Sequence, residues 1–172
     1  MNALIPGSFD PITLGHLNII ERASPMFEKI YVAVMNNDSG DYDKSLVSKK
    51  NMFDGEQRLD MVKLTIEGID NAFAVYYPGR LIDFCDEYDI CAVIRGVRTA
   101  RDFEYEMIHA AWNRKHNKKA QALFMPADEK FDYISSTAVR KIIAEKKDYF
   151  RLRGILAEKT IDYISNYFGV LK

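Results

Sequence analysis

Cysteine is almost absent from this chain. Cys85 and Cys91 are the two that occur, they form no CxxC pair, and two isolated thiols cannot build a disulfide scaffold. Both read as small core residues in a reducing, cytoplasmic setting. Long apolar runs are missing as well. No stretch approaches the roughly 18 apolar residues of a membrane span, and Met1-Asn2-Ala3-Leu4-Ile5-Pro6 has no basic start, so neither a membrane nor an export signal is expected. No sign of charge dominates: 24 Lys+Arg against 25 Asp+Glu leave a net charge of −1. That balance excludes a surface built as a whole for nucleic acid and leaves room for a local anion cleft. With 48% hydrophobic and 28% charged residues, disorder and fibrous repeats are excluded too. Repeats, low-complexity tracts and linkers do not occur, so residues 1–172 read as one domain.

What is present is alternation. Short apolar runs rich in β-formers, Asn2–Ile5, Ile30–Met35, Ala72–Tyr77, Ala92–Arg95 and Ala122–Met125, are spaced by segments with apolar residues three and four apart. Leu17, Ile20, Ala23 and Phe27 stripe the first helical segment, and Leu59, Val62 and Ile66 the second. Leu81 to Tyr88 is a short third, and Phe103, Met107, Ala110 and Ala111 stripe a fourth. Val139, Ile142 and Ile143 mark a fifth, and Ile161, Ile164 and Phe168 a sixth. Alternation of this length predicts an α/β fold: a five-stranded parallel sheet with helices on both faces and further helices at the C-terminus. Ligands bind beyond the carboxyl ends of such strands. Asn36 to Lys50, polar and glycine-containing, reads as a long mobile loop that orders over a ligand.

The residues after the strands are the informative ones. The first strand runs into Pro6-Gly7-Ser8-Phe9-Asp10-Pro11-Ile12-Thr13-Leu14-Gly15-His16. Thr13 can cap the following helix, which puts Gly15 and His16 in its first turn. Glycine there costs about 1 kcal/mol against alanine, a cost that close approach of a phosphate to the helix amides would explain. The fourth strand ends in Ile94-Arg95-Gly96-Val97-Arg98, two arginines flanking a glycine, which suits an anion. The fifth leads to Tyr133-Ile134-Ser135-Ser136-Thr137-Ala138-Val139-Arg140, three hydroxyl residues before a helix, a second phosphate cradle. Two such helix starts suggest a polyphosphate across the sheet top. His109 and His116 have no metal-ligand partners at suitable spacing and read as surface residues; Trp112 and the aromatic stripes read as core.

Thr13 to His16 (TxGH) with Ile134 to Arg140 (ISSTxxR) resembles the nucleotidyltransferase superfamily, and nearly the whole chain resembles the bacterial phosphopantetheine adenylyltransferase family. The matching blocks are Pro6 to His16, Ser48 to Phe53, Ile94 to Arg98 with Asp102 to Met107, and Phe131 to Thr137. The resemblance implies a single Rossmann-like domain that transfers the adenylyl group of ATP to 4′-phosphopantetheine, giving dephospho-coenzyme A and pyrophosphate. It implies that Ser8, Lys49, Leu81 and Arg95 hold the acceptor, and that Ser8, Phe9, His16, Gly96, Val97, Arg98, Glu106, Phe131, Asp132, Tyr133, Ile134, Ser135, Ser136 and Thr137 hold ATP. It further implies Mg²⁺ bound through the ATP phosphates, a homohexamer, and coenzyme A as product-like inhibitor. The family commonly has Thr where this chain has Ser8, and a shorter loop before Lys49.

The expected chemistry needs little proton transfer, because a phosphate monoester is already largely anionic near pH 7. It needs donors fixed around the phosphates. His16 is the expected α-phosphate donor. Lys49 and Arg95 would neutralise the attacking phosphate, and Arg98 with the Ser135–Thr137 helix start would hold the β and γ groups. The rival readings are another small nucleotidyltransferase, acting on nicotinamide mononucleotide or a phospho-alcohol, and a non-catalytic nucleotide sensor. Grouping His16, Lys49 and both arginines around one phosphate disfavours the sensor.

Overall fold

A computed structural model of the chain describes residues 1–35, 51–145 and 149–169. The expectations placed on Asn36 to Lys50, including the role of Lys49, lie outside the described residues.

Five strands form one fully parallel sheet: β1 (Asn2–Gly7), β2 (Lys29–Met35), β3 (Ala72–Tyr77), β4 (Ile90–Val97) and β5 (Gln121–Pro126). Their spatial order is β3-β2-β1-β4-β5. Among the described residues six α-helices connect and follow them: α1 (Leu14–Ala23), α2 (Gly55–Ile66), α3 (Leu81–Glu87), α4 (Ala100–His116), α5 (Ser136–Ala144) and α6 (Glu158–Phe168). The chain moves outward from β1 in one direction through β2 and β3, then returns to the other side of β1 for β4 and β5. The carboxyl ends of β1 and β4 therefore flank the reversal point, where open α/β sheets leave a crevice.

The pleat divides the core. Ala3 and Ile5 of β1, with Ile30, Val32 and Val34 of β2, join Ile20 of α1, Val62 of α2, Val139 of α5 and Ile164 of α6 on one face. Leu4, Ala33 and Met35 point the other way and meet Phe84 and Cys85 of α3. Residues of alternating direction are both apolar, as a parallel sheet covered on both faces requires. Burial pushes the Cys85 thiol up to about 12, so it behaves as a small hydrophobe, while half-buried Cys91 donates its thiol hydrogen to the Asn2 carbonyl.

Three local expectations change. The first helix stops at Ala23, and Phe27 follows a 3₁₀ turn at Ser24–Met26, because Pro25 cannot continue the helical hydrogen bonding. β4 continues to Val97, so Arg95 is not its last residue and Gly96 lies inside the strand rather than after it. The apolar stripe of α4 is not core. Among the described residues this 17-residue helix buries none of its own. No helix among the described residues is long and apolar enough to cross a membrane.

Candidate active site

β1 ends in a turn that its own residues hold open. Phe9 adopts a left-handed φ of +44°, a conformation costly for a residue with a Cβ. The fold accepts it because the Phe9 ring is buried, packs edge-on against the His16 ring at 5.2 Å and lies over Gly7. A Cβ at Gly7 would sit 2.9 Å from Phe9 Cζ, so any larger residue there would have to displace the buried ring. Arg58 of α2, almost wholly buried, donates to the Ser8 carbonyl at 2.7 Å and fixes the same turn from below. Burial draws the Arg58 pKa downward against the opposing pull of Asp10, Tyr76 and Asp54.

Thr13 caps α1 as the spacing predicted, and the cap specifies the histidine. The Thr13 amide donates to His16 Nδ1 at 3.0 Å. An amide can only donate, so Nδ1 must be the unprotonated nitrogen and the neutral ring carries its hydrogen on Nε2. Burial, and then the positive charge of Arg98, lower the His16 pKa to about 4. At neutral pH the residue is thus an uncharged Nε2–H donor at the start of a helix. Gly15 beside it has no structural need to be glycine: a Cβ would make ordinary contacts of 3.6 Å with Phe131 Cβ and Thr13 Oγ1.

The two arginines of Ile94–Arg98 differ. Arg95, half-buried, stands 3.4 Å from the Glu106 carboxylate of α4, and Glu106 Oε2 is buried with no hydrogen-bond partner among the described residues. Arg98 instead bonds Asp102 at 3.1 Å and the Ile134 carbonyl at 3.0 Å, tying the start of α4 to the approach to α5. The expected fork is therefore one arginine in a loose ion pair and one tether. Gly96 owes its size to packing, since a Cβ would lie 3.2 Å from Ile19 of α1. Val97 closes the strand and accepts from the Ala127 amide.

The hydroxyl run also has internal duties. Ser135 caps α5 by accepting from the Ala138 amide at 3.1 Å, Ser136 donates to the Pro11 carbonyl at 2.8 Å, and Thr137 Oγ1 accepts from Arg140 at 2.9 Å. The hydroxyls expected to cradle phosphate hold the protein together, which leaves the amide end of α5 for an anion. Phe131 and Asp132 end a 3₁₀ turn, Ile134 is buried, and Tyr133 is 73% exposed.

Two cavities meet at the Arg95–Glu106 pair. The first, about 240 Å³, lies at the β1/β4 reversal and is lined by Ser8, Phe9, His16, Arg95, Gly96 and Glu106 together with Tyr105 and His109. The second, about 300 Å³, is mostly apolar and runs between α3, α4 and β5, with Leu81, Ile82, Val93, Met107, Ala110 and Phe124 in its walls. Leu81 thus sits in the neighbouring cavity, while Val97, Arg98 and the 131–137 segment line neither. His109, read from sequence as a surface residue, faces the first cavity, and burial lowers its pKa. His116 stays exposed, stacked on half-buried Trp112. A signal for His109 was available: it follows Glu106 by three positions and so shares its helix face. Arg58 had none beyond its charge on an apolar helix.

At the reversal point the start of α1 thus sets a neutral imidazole donor beside an arginine, at the carboxyl end of a parallel α/β sheet. Residues 4–142 match the cytidylyltransferase-like family, and the chain belongs to that family. Solved structures repeat the fold. A protein from Vibrio parahaemolyticus assigned as a nicotinate-nucleotide adenylyltransferase superposes with a TM-score of 0.65 at 17% identity, covering 96% of this chain and 91% of that one. The Plasmodium falciparum nicotinic acid mononucleotide adenylyltransferase, in its complex with NaAD, gives 0.55 at 20% identity and covers 96% and 95%.

Proposed function

We propose that the protein transfers the adenylyl group of ATP to 4′-phosphopantetheine. The reading of the chemistry rests on the cleft at the sheet reversal. The acceptor phosphate oxygen attacks the ATP α-phosphorus, a new P–O bond forms, the bond to the β-phosphate bridge breaks, and pyrophosphate leaves. The neutral His16 Nε2–H meets the negative charge that grows on the α-phosphate, without a proton needing to move. Arg95 exchanges Glu106 for the acceptor phosphate. The amide ends of α1 and α5 hold the polyphosphate. Lys49, Phe131 to Thr137, Val97 and Arg98 keep the roles that the family resemblance implies. The donors in this cleft are arginine, imidazole N–H and helix amides, which suit phosphate oxygens rather than a metal. Mg²⁺ would therefore arrive on the ATP phosphates and supply charge neutralisation there.

The single observation that carries the choice of acceptor is the second cavity. It shares Arg95 and Glu106 with the cleft and is apolar over most of its wall. A phosphate held at Arg95 with a flexible, amphipathic pantetheine arm running into that cavity fits the shape; a compact nucleotide leaves it empty. The four motif blocks support the same acceptor. Nicotinate mononucleotide is the second reading, favoured by what the similar structures are said to act on. Self-association into a hexamer belongs to the proposal and is supported by α4 and β5, where Phe103, Met107, Ile108 and Leu123 stand more than 40% exposed. A cytoplasmic location and inhibition by coenzyme A are part of it too.

Pyrophosphate release from ATP is measured with phosphopantetheine, nicotinate mononucleotide, nicotinamide mononucleotide and a phospho-alcohol in turn. Phosphopantetheine should be turned over best, and Ala110→Phe, which fills the second cavity, should raise its KM and leave that of ATP unchanged. Faster turnover of either mononucleotide would reassign the acceptor, and no release with any acceptor would leave a nucleotide sensor.

A further inference from the structure

The two helix starts that face the polyphosphate grow from strands that do not touch. β4 lies between β1 and β5, so the ends of β1 and β5 stand two strand spacings, roughly 10 Å, apart. Sheet hydrogen bonds fix the strands but not the irregular segments beyond them, 8–13 and 127–135. Something else must set the distance between α1 and α5.

The crossing is made by Asp10. Arg140 of α5 donates through Nη1 to the Asp10 main-chain carbonyl at 2.7 Å, and the same nitrogen lies 3.5 Å from the Asp10 carboxylate. Its Nη2 donates to Thr137 Oγ1 at 2.9 Å, which fixes the guanidinium against the first turn of its own helix. Ser136 adds a bond to the Pro11 carbonyl, the next along the chain, at 2.8 Å. On its other side the Asp10 carboxylate, 2% exposed, accepts from the amides of Met52 and Phe53, each at 3.0 Å. One buried residue therefore gathers the turn ahead of α1, the first turns of α5 and the approach to α2.

We propose that Asp10 and Arg140 are a positioning pair for nucleotidyl transfer. They set the spacing of the α1 and α5 amino termini, so that His16 and the α5 amides bear on one phosphate chain. The proposal rests on the reading of the cleft as an ATP site. Neither residue touches a reacting atom. Arginine serves better than lysine because a planar fork can reach the Asp10 carbonyl and Thr137 together, whereas a lysine ammonium can keep only part of that contact. The two amide donors remain when the guanidinium is removed, so the Asp10 carboxylate keeps hydrogen bonds and the fold should survive.

The experiment compares Arg140→Ala and Arg140→Lys with the wild-type protein. It measures steady-state pyrophosphate release per folded molecule, ATP binding by calorimetry, and amide hydrogen exchange. With Ala, kcat should fall about 10²-fold, the loss expected when reacting groups shift by about an ångström, while the acceptor KM stays within twofold. Lysine should recover part of kcat. Exchange should quicken at residues 136–139 in the Ala variant and stay unchanged in the centre of α2. A kcat within threefold of wild type in the Ala variant, unchanged exchange at the start of α5, or equal losses in kcat and in acceptor affinity would each overturn the pairing. If the wild-type protein itself releases no pyrophosphate, the enzymatic reading fails. ATP affinity and exchange then decide the pair alone: both unchanged in Arg140→Ala overturns it, and both altered supports it.

Discussion

His16 is held without charge. Its Nδ1 is committed to the Thr13 amide and its pKa is held near 4, so the hydrogen on Nε2 is present across the whole neutral range. Replacing it with Ala should lower kcat 10²- to 10³-fold, the usual cost of losing one such donor, and leave ATP affinity within a fewfold, because the contact strengthens only as the reaction proceeds. An NMR titration should find the His16 ring neutral from pH 8 down to 5. Stability follows the same shift. The folded pKa lies below the unfolded value of 6.5, so between about pH 6.5 and 4 the unfolded chain takes up a proton that the folded one refuses. The residue's contribution is whole above that window and is lost as pH falls through it. His16→Ala should therefore lose less stability than wild type between pH 7 and 4.5 in chemical denaturation. Gly15→Ala makes the opposite test: no neighbour opposes the methyl group, so the fold should gain up to about 1 kcal/mol while ATP binding weakens. The cap, the glycine and the histidine were legible in TxGH because they lie within one turn. Arg58 was not, since its meaning comes from the Ser8 carbonyl, 50 residues away.

Among the elements, β1 and β4 announced themselves through apolar runs ending in Ile5 and Arg95, and α5 through its three hydroxyls. α4 misled. Its spacing of Phe103, Met107 and Ala110 is that of a core helix, but among the described residues it packs on α3, β4 and β5 without burying any of its residues and offers Ile108 at 62% exposure. Periodicity registers that a face is apolar and is silent on whether the chain or another copy covers it. If a second copy covers it, Ile108→Glu should convert the assembly to smaller species in sedimentation velocity without lowering its melting temperature by more than a few degrees. Unchanged sedimentation would remove α4 from the interface. The serines show a related ambiguity: a hydroxyl before a helix reads equally as a ligand donor or as a cap, and Ser135 and Ser136 turn out to be bonded within the protein.

At the scale of the whole molecule, the parallel sheet followed from alternation, but the order β3-β2-β1-β4-β5 could not, because strand order is decided by long-range packing. That order brings Gly7 to His16 beside Arg95 and Glu106 and makes one cleft of segments 80 residues apart. It also sets a second, mostly apolar cavity against the same arginine, and the proposed choice of acceptor rests on this feature. A competition reads that selection most directly. The protein, ATP, 4′-phosphopantetheine and nicotinate mononucleotide are mixed with the two acceptors equimolar, and the adenylylated products are weighed by mass spectrometry at low conversion. Dephospho-coenzyme A should dominate by at least an order of magnitude. A product pool dominated by the nicotinate dinucleotide would contradict the assignment.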